Sequence, residues 1–463
     1  MSFTDKKNEK FSTVYSKPLW KTKDVLIKSN YLPQGKNMVF GSDNKDQPNN
    51  LLYLGKVIEN SSGSSYLASD CWLDISFPHV IYITGTRGSG KSFDLGVLIE
   101  GISKLSKESK IQENATNAAS ILIDTQSQFW TLKYEPRENI TANLEQIELL
   151  KKWNIKPNSL ADCQIFIPEK TEKITGDEQV FYIDPSTVEH AEWCALIREE
   201  VYSPQGHILR ETLKSFDGSY GLTDIIDYVK NTSNFPNVAD NARNALAYKL
   251  EDLEDSGLFG QDAINIEDLL LPGRCSIFML RDLENSDKSL ITGIIARQLF
   301  TFMGAHHSKR KVDLFFDKNQ SSSNLASKVW LLIDEAHVVA PREGFSAARN
   351  SLIEYVKRGR DAGLSLVLAT QQPSAVDNRI LSQVNISLSH RLTFENDCNA
   401  CIDRIPTRKL KQVEFGGRAL SDFSEMISLL EPGQCFIGDS HTSRVITAAI
   451  RPRVTSHGGY SPE

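Results

Sequence analysis

Two short stretches of this 463-residue sequence hold residue types that do chemistry only in company: "GTRGSGKS", Gly85 to Ser92, and "LLIDEAH", in which Asp334 and Glu335 stand side by side after an apolar run. The first fits G-x-x-x-x-G-K-[ST] at every position. Its glycines let the backbone wrap inward so that amide N–H groups face an anion, and the start of a following helix adds its positive end. On this reading Gly85, Thr86, Arg87, Gly88, Ser89 and Gly90 cradle phosphates, Lys91 bridges the β- and γ-phosphates, and the Ser92 hydroxyl takes a Mg²⁺ position. A glycine-rich turn that matches by chance is the plain alternative, and the strand and helix on either side speak against it.

Two adjacent carboxylates repel at a strand end unless a cation makes the pair tolerable. In a phosphate-loop fold the acid at the end of a neighbouring strand holds Mg²⁺ close to the loop serine, which makes Asp334 the metal residue. The carboxylate beside it then orients and partly deprotonates the attacking water, so Glu335 is the expected general base. The cofactors implied are ATP and Mg²⁺. His337 reads as a packing or hydrogen-bonding neighbour of the acids, and the CxxC of Cys398 and Cys401 has no second Cys or His pair at metal spacing.

The elements that must position these residues are legible as alternating periods. "HVIYITG" is a buried strand, "FDLGVLIEGISKL" a helix, and "ASILIDT", "CQIFIP", "CSIFML", "VWLLIDEA", "LSLVLATQ" and "ISLSHRL" are further strands with helical stretches among them. Such alternation predicts an α/β fold with a parallel-dominated sheet covered on both faces. Residues 1–76 read as a polar arm and a small β region, 77–184 as the first part of the core, and 185–270 as an inserted helical domain. The second part of the core spans 271–450, and 451–463 form a terminal segment. A net charge of -7 argues against a chain that coats DNA with basic surface, though not against local grip. Seven scattered cysteines, no run of signal length and no long apolar run predict a reduced, cytoplasmic protein with no membrane partner.

"DEAH" invites comparison with the DEAH-box helicases, but the arginine-rich "KRGRDAG" follows only about one helix later, and "ATQQPS" stands where those enzymes carry Ser-Ala-Thr. Instead DEAH with Pro341, "RGRDAG", "ATQQPS", "VDNRILSQVN", "HRL" and the closing "IRPRVTSHGG", in that order, resemble the HerA family of HerA/FtsK hexameric ATPases. The resemblance covers about residues 77 to 105 and 328 to the C-terminus, and departs in a shortened N-terminal barrel and in Arg87. It implies a RecA-like P-loop ATPase core, a homo-oligomer of usually six subunits with ATP at each interface, and double-stranded DNA through the centre. It assigns Arg360 as the arginine given to the neighbour's γ-phosphate, with Arg358 as the alternative, and Gln371 as the polar sensor between γ-phosphate and water. The terminal segment would brace the adjacent subunit.

Two functions follow from this resemblance. One is a ring that translocates on or remodels duplex DNA, a helicase-type ATP hydrolase. The other is a regulatory or scaffolding ring that organises and gates an effector, a nuclease or NAD-consuming subunit of an anti-phage (antiviral defence) system. For DNA contact the candidates are Arg342, Arg349 and Lys357, with Lys309, Arg310 and Lys311 behind them.

Overall fold

Runs such as Ala118–Asp124 and Leu364–Thr370 are buried at every position, so both of their faces need cover, and the chain meets that need with one large sheet between two apolar layers. The computed structural model describes residues 38–41, 50–61, 64–113, 117–254, 256–260, 263–316, 324–404, 413–415, 418–420, 423–440 and 444–458. In chain order β1 (Met38–Phe40), β2 (Leu51–Ser61) and β3 (Ser64–Asp74) precede β4 (Val80–Thr84) and helix α1 (Lys91–Ile102). Next come β5 (Gln112–Glu113), β6 (Ala118–Asp124), α2 (Thr141–Lys152), β7 (Cys163–Ile167) and β8 (Gln179–Val180). Four helices follow: α3 (His190–Leu196), α4 (Pro204–Lys214), α5 (Leu222–Lys230) and α6 (Asp240–Glu254). The chain then returns to the sheet through β9 (Cys275–Met279), the long α7 (Asn285–Phe315), β10 (Lys328–Ile333), α8 (Ala336–Val339), α9 (Ala348–Arg358) and β11 (Leu364–Thr370). It continues with α10 (Asn378–Leu381), β12 (Ile386–Ser389), α11 (Glu395–Ile402), β13 (Val413–Phe415), β14 (Arg418–Leu420), α12 (Phe423–Ser428), β15 (Gln434–Asp439) and β16 (Arg444–Ile450).

The strand order is β1-β3-β2-β16-β15-β12-β4-β11-β10-β6-β9-β7-β8, with β5 beside β2. From β12 to β8 every pairing is parallel. The antiparallel hairpin β15–β16 then joins this core to β2 and β3, so the N-terminal strands extend the same sheet. Strand β11 lies between β4 and β10, and the three strands end together, with Thr370 opposite Thr84 and Ile333 opposite Leu368. Residues that follow β4, β10 and β11 therefore meet at one edge, outside the carboxyl ends of the strands, where open α/β sheets hold ligands.

The four helices α3–α6 pack their apolar faces, including Trp193, Leu209, Ile225 and Leu250, into the layer that covers one side of the sheet. Arg297 of α7 ties the first of them down: its Nη2 donates to Glu192 Oε2 of α3 at 2.9 Å and to the Thr187 carbonyl just before it at 2.6 Å.

A candidate nucleotide-phosphate site

The loop between β4 and α1 is shaped from below by one histidine. His390, at the end of β12, is buried, with Nε2 2.7 Å from Asp94 Oδ2 and Nδ1 2.9 Å from the Gln434 carbonyl. A Cβ at Gly85 would lie 2.7 Å from His390 Cβ, and one at Gly90, where φ is +128°, would lie 3.1 Å from its Cε1. Glycine is demanded at both positions by this close approach as well as by backbone conformation. The loop is also stitched from outside: Thr86 N donates to the Arg391 carbonyl at 2.8 Å, and Gly433 N to that of Ser89 at 3.2 Å.

Lys91 opens α1 and folds back on the loop, its Nζ donating to the Thr86 carbonyl at 2.9 Å. Burial pulls this ammonium below the usual lysine range, against the opposing influence of Glu335, Asp334 and Asp94. Such a partly desolvated cation is poised to trade a carbonyl for a phosphate oxygen.

Asp334 follows β10 directly, donates its N–H to the Ile123 carbonyl at 3.0 Å and is buried, yet its Oδ1 has no hydrogen-bond partner among the described residues. Burial first, then the charges of Glu335 and Asp124, push its carboxyl well above the usual carboxylate range. An orphaned buried carboxylate oxygen, with the Ser92 hydroxyl lining the same cleft, is the all-oxygen donor set that a hard cation such as Mg²⁺ takes. Glu335 adopts φ 51° and ψ 55°, a left-handed conformation uncommon outside glycine. This turn aims its carboxylate at Gln371: Gln371 Nε2 donates to Glu335 Oε1, and Gln371 N lies 3.4 Å from Oε2. His337 stands 3.4 Å from Glu335 Oε2 and 3.0 Å from Thr370 Oγ1, and burial lowers its pKa against the opposing charges of Glu335 and Asp397.

Arg87, Gly88, Gly90, Lys91, Ser92, Asp334, Glu335 and Gln371 all line one cleft of about 900 Å³. Arg360 does not. It is exposed in the turn Gly359–Ala362 that enters β11, at the opposite edge of the sheet from Gln371. Among the basic residues read as DNA candidates, Arg349 is engaged within its own chain. Its Nη2 donates to the carbonyls of Pro341 at 2.7 Å and Gly344 at 2.8 Å, and its Nε lies 3.3 Å from Asp377. Arg342, Lys357, Lys309, Arg310 and Lys311 are exposed. Cys398 and Cys401 are buried in a small apolar cluster with Met426 and Phe436.

Several cleft residues escape a reading by motif. Gln126 and Gln128 follow β6, Trp153 follows α2, and Pro452 and His457 come from the terminal segment. Asp94, which pairs with His390 beneath the loop and does not line the cleft, carries a signal of a kind, since it lies one helical turn after Lys91 and positions three apart share a helix face. The others are adjacent to the loop only through the sheet order.

The helicase HerA central domain (DUF87) matches residues 52–299, more than half of the chain. The "DNA double-strand break repair helicase HerA" of Sulfurisphaera tokodaii is 22% identical over 279 residues, 55% of this chain and 51% of that protein. Its namesake of Pyrococcus furiosus is 23% identical over 150 residues, 29% of this chain and 27% of that one. The chain thus spans about half the length of the first of these relatives and less of the second. Among solved structures, VirB4 of Thermoanaerobacter pseudethanolicus superposes with a TM-score of 0.50 at 14% identity, covering 86% of this chain and 96% of that one. The plasmid coupling protein TrwB bound to a non-hydrolysable ATP analogue gives 0.50 at 12%, covering 91% and 98%. These two likenesses bear on the fold, an α/β RecA-like core of the phosphate-loop kind. The family match runs from β2 through the phosphate loop into α7, and the chain belongs to the helicase HerA central-domain family.

Proposed function

We propose that the chain is an enzyme that hydrolyses ATP in this cleft and, as one subunit of a ring of usually six, couples hydrolysis to movement on or remodelling of double-stranded DNA. The observation that carries the reading is the buried pair Asp334–Glu335 facing Lys91 and Gln371 in one cleft. Lys91 neutralises the β- and γ-phosphates. Ser92 and Asp334 would hold Mg²⁺, which supplies charge neutralisation at the phosphate oxygens. Glu335 accepts a proton from water as its oxygen bonds to the γ-phosphorus and the bond to the β-phosphate oxygen breaks. Gln371, hydrogen-bonded to Glu335, holds that carboxylate and senses the γ-phosphate. Arg360 serves a neighbouring subunit's site.

The relatives named for DNA double-strand break repair support DNA as the partner. The direct test is the ATPase rate of the purified chain with and without linear duplex DNA. A DNA-stimulated rate that Glu335→Gln abolishes is expected, and a rate indifferent to duplex, single strands and RNA alike would remove DNA from the reading.

A further inference from the structure

We propose that the terminal segment of this chain builds a purine-base pocket beside the phosphate loop, with His457 as the hydrogen-bond donor that reads the base. This rests on the ATP reading of the cleft and adds how the nucleotide is recognised. Phosphate groups explain the loop side of the cleft only. Phe93, Leu149, Trp153, Ile450 and Pro452 line it too. Leu149 is 39% exposed and Trp153 half-buried, so a concave wall keeps apolar surface in water that a flat, two-ring base would cover.

The tautomer of His457 follows from its neighbour. Arg453 Nη1 lies 3.1 Å from His457 Nδ1. A guanidinium has no acceptor, so Nδ1 must accept and the ring proton sits on Nε2. Burial, then the Arg453 charge, push the imidazole pKa down to about 3, so at neutral pH the ring is uncharged and keeps a single N–H. Phe93, the residue after Ser92, meets it edge to face with ring centroids 5.6 Å apart, and His457 itself lines the cleft. An uncharged donor on an apolar wall suits a ring nitrogen of a base rather than a phosphate, for which a cation would serve better.

The segment is held in place rather than loosely appended. Arg453 Nη2 donates to Thr455 Oγ1 at 2.9 Å and to the Ser456 carbonyl at 3.0 Å. Gln146 of α2 donates to the carbonyls of Arg453 at 2.8 Å and Thr455 at 2.7 Å. Gly96 of α1 leaves room for the Arg453 side chain, since a Cβ there would fall 2.5 Å from its Nε. Helix α1, which begins with Lys91, thus carries the base pocket as well as the phosphate loop.

The test is equilibrium binding of ATP, its 1-deaza, 3-deaza and 7-deaza analogues, CTP and inorganic tripolyphosphate to the full chain and to His457→Ala and His457→Gln. Wild type should bind ATP more tightly than CTP, and His457→Ala should weaken ATP binding by about three- to tenfold. One deaza analogue should lose a similar factor in wild type and no further factor in His457→Ala, the signature of a broken pair. His457→Gln, which retains a donor, should recover part of the loss. Tripolyphosphate should bind all three proteins alike, which also reports that the variants fold. Equal weakening of ATP and tripolyphosphate, weakening of neither, parity of CTP with ATP, or deaza effects that add fully to the substitution would each overturn the base pocket. Wild type that binds neither ATP nor tripolyphosphate would overturn the ATP reading beneath it.

Discussion

Glu335 occupies a left-handed backbone conformation that costs on the order of 1 kcal/mol or more in a non-glycine residue, and the turn brings its carboxylate onto Gln371. Strain of this kind survives where the surroundings over-determine it, as the buried Asp334 and the end of β11 do here. Glu335→Gln should therefore bind ATP and turn over about 10²- to 10⁴-fold more slowly, whereas Lys91→Ala should lose nucleotide binding, both measurable by a fluorescent nucleotide and phosphate release. Wild-type turnover in Glu335→Gln would dismiss it as the base. Asp334 adds a pH dependence. Its carboxyl pKa is raised, so between the ordinary carboxylate range and that raised value the folded chain holds a proton that the unfolded chain has lost. The metal-free fold accordingly loses stability as pH rises through this window, and Mg²⁺ must displace the same proton. Mg²⁺-nucleotide binding should tighten with rising pH and release a proton, read by calorimetry in buffers of different ionisation enthalpy. Binding without proton release at the acid end of the window would contradict the placement of Mg²⁺ on Asp334. Lys91 and the acids were legible because their chemistry lies in adjacent residues, while the Asp94–His390 pair joins positions 296 apart and shows only in three dimensions.

At the scale of elements, β11 separates two residues that the proposed mechanism assigns to one reaction. Its seven residues, at about 3.3 Å each, put roughly 20 Å between Arg360 at its start and Gln371 just past its end. A strand cannot fold back, so Arg360 lies away from the cleft of its own chain, and we propose that it serves that of another copy. Arg360→Ala should bind ATP but hydrolyse it about 10³-fold more slowly. Excess Arg360→Ala doped with Glu335→Gln should recover activity at interfaces that pair an intact base with an intact arginine, and verified mixed rings that stay inactive would refute the trans role. The terminal segment, read from the sequence as a brace for the adjacent subunit, is anchored in its own chain. Arg451 Nη1 meets Glu100 Oε2 at 2.7 Å with both side chains fully buried, and Arg453 Nε lies 3.7 Å from Glu100 Oε1. Arg451→Ala removes the nearer guanidinium from a buried carboxylate that keeps the Thr455 N–H and hydroxyl on Oε1, and should cost about 3 kcal/mol in denaturant unfolding. A loss below about 1 kcal/mol would mean that the pair contributes little to the fold.

For the whole molecule, the proposal that the cleft at one sheet edge is completed by Arg360 of another copy makes activity a property of an assembly. Specific ATPase activity should fall on dilution in step with oligomer mass, and a rate independent of concentration for a monomer would contradict a shared site. Residues 1–35 lie outside the described residues; their deletion should spare the ring and the ATPase while removing co-purification of an effector, and loss of the ring in a folded variant would reverse that division. No helix among the described residues is long and apolar enough to cross a membrane. By itself the sequence determined the fold class and marked the candidate phosphate-loop and acid residues, because buried strands read as continuous apolar runs and a phosphate loop packs its chemistry into eight consecutive positions. Only the tertiary structure decided the rest. The insertion of β11 between β4 and β10 aligns Gln371 with Glu335 and sets Arg360 apart from them, the hairpin β15–β16 carries the chain end back to α1, and Arg453 and Phe93 hold His457 at the cleft. Each depends on strand order and on burial across hundreds of residues, which a local pattern does not encode.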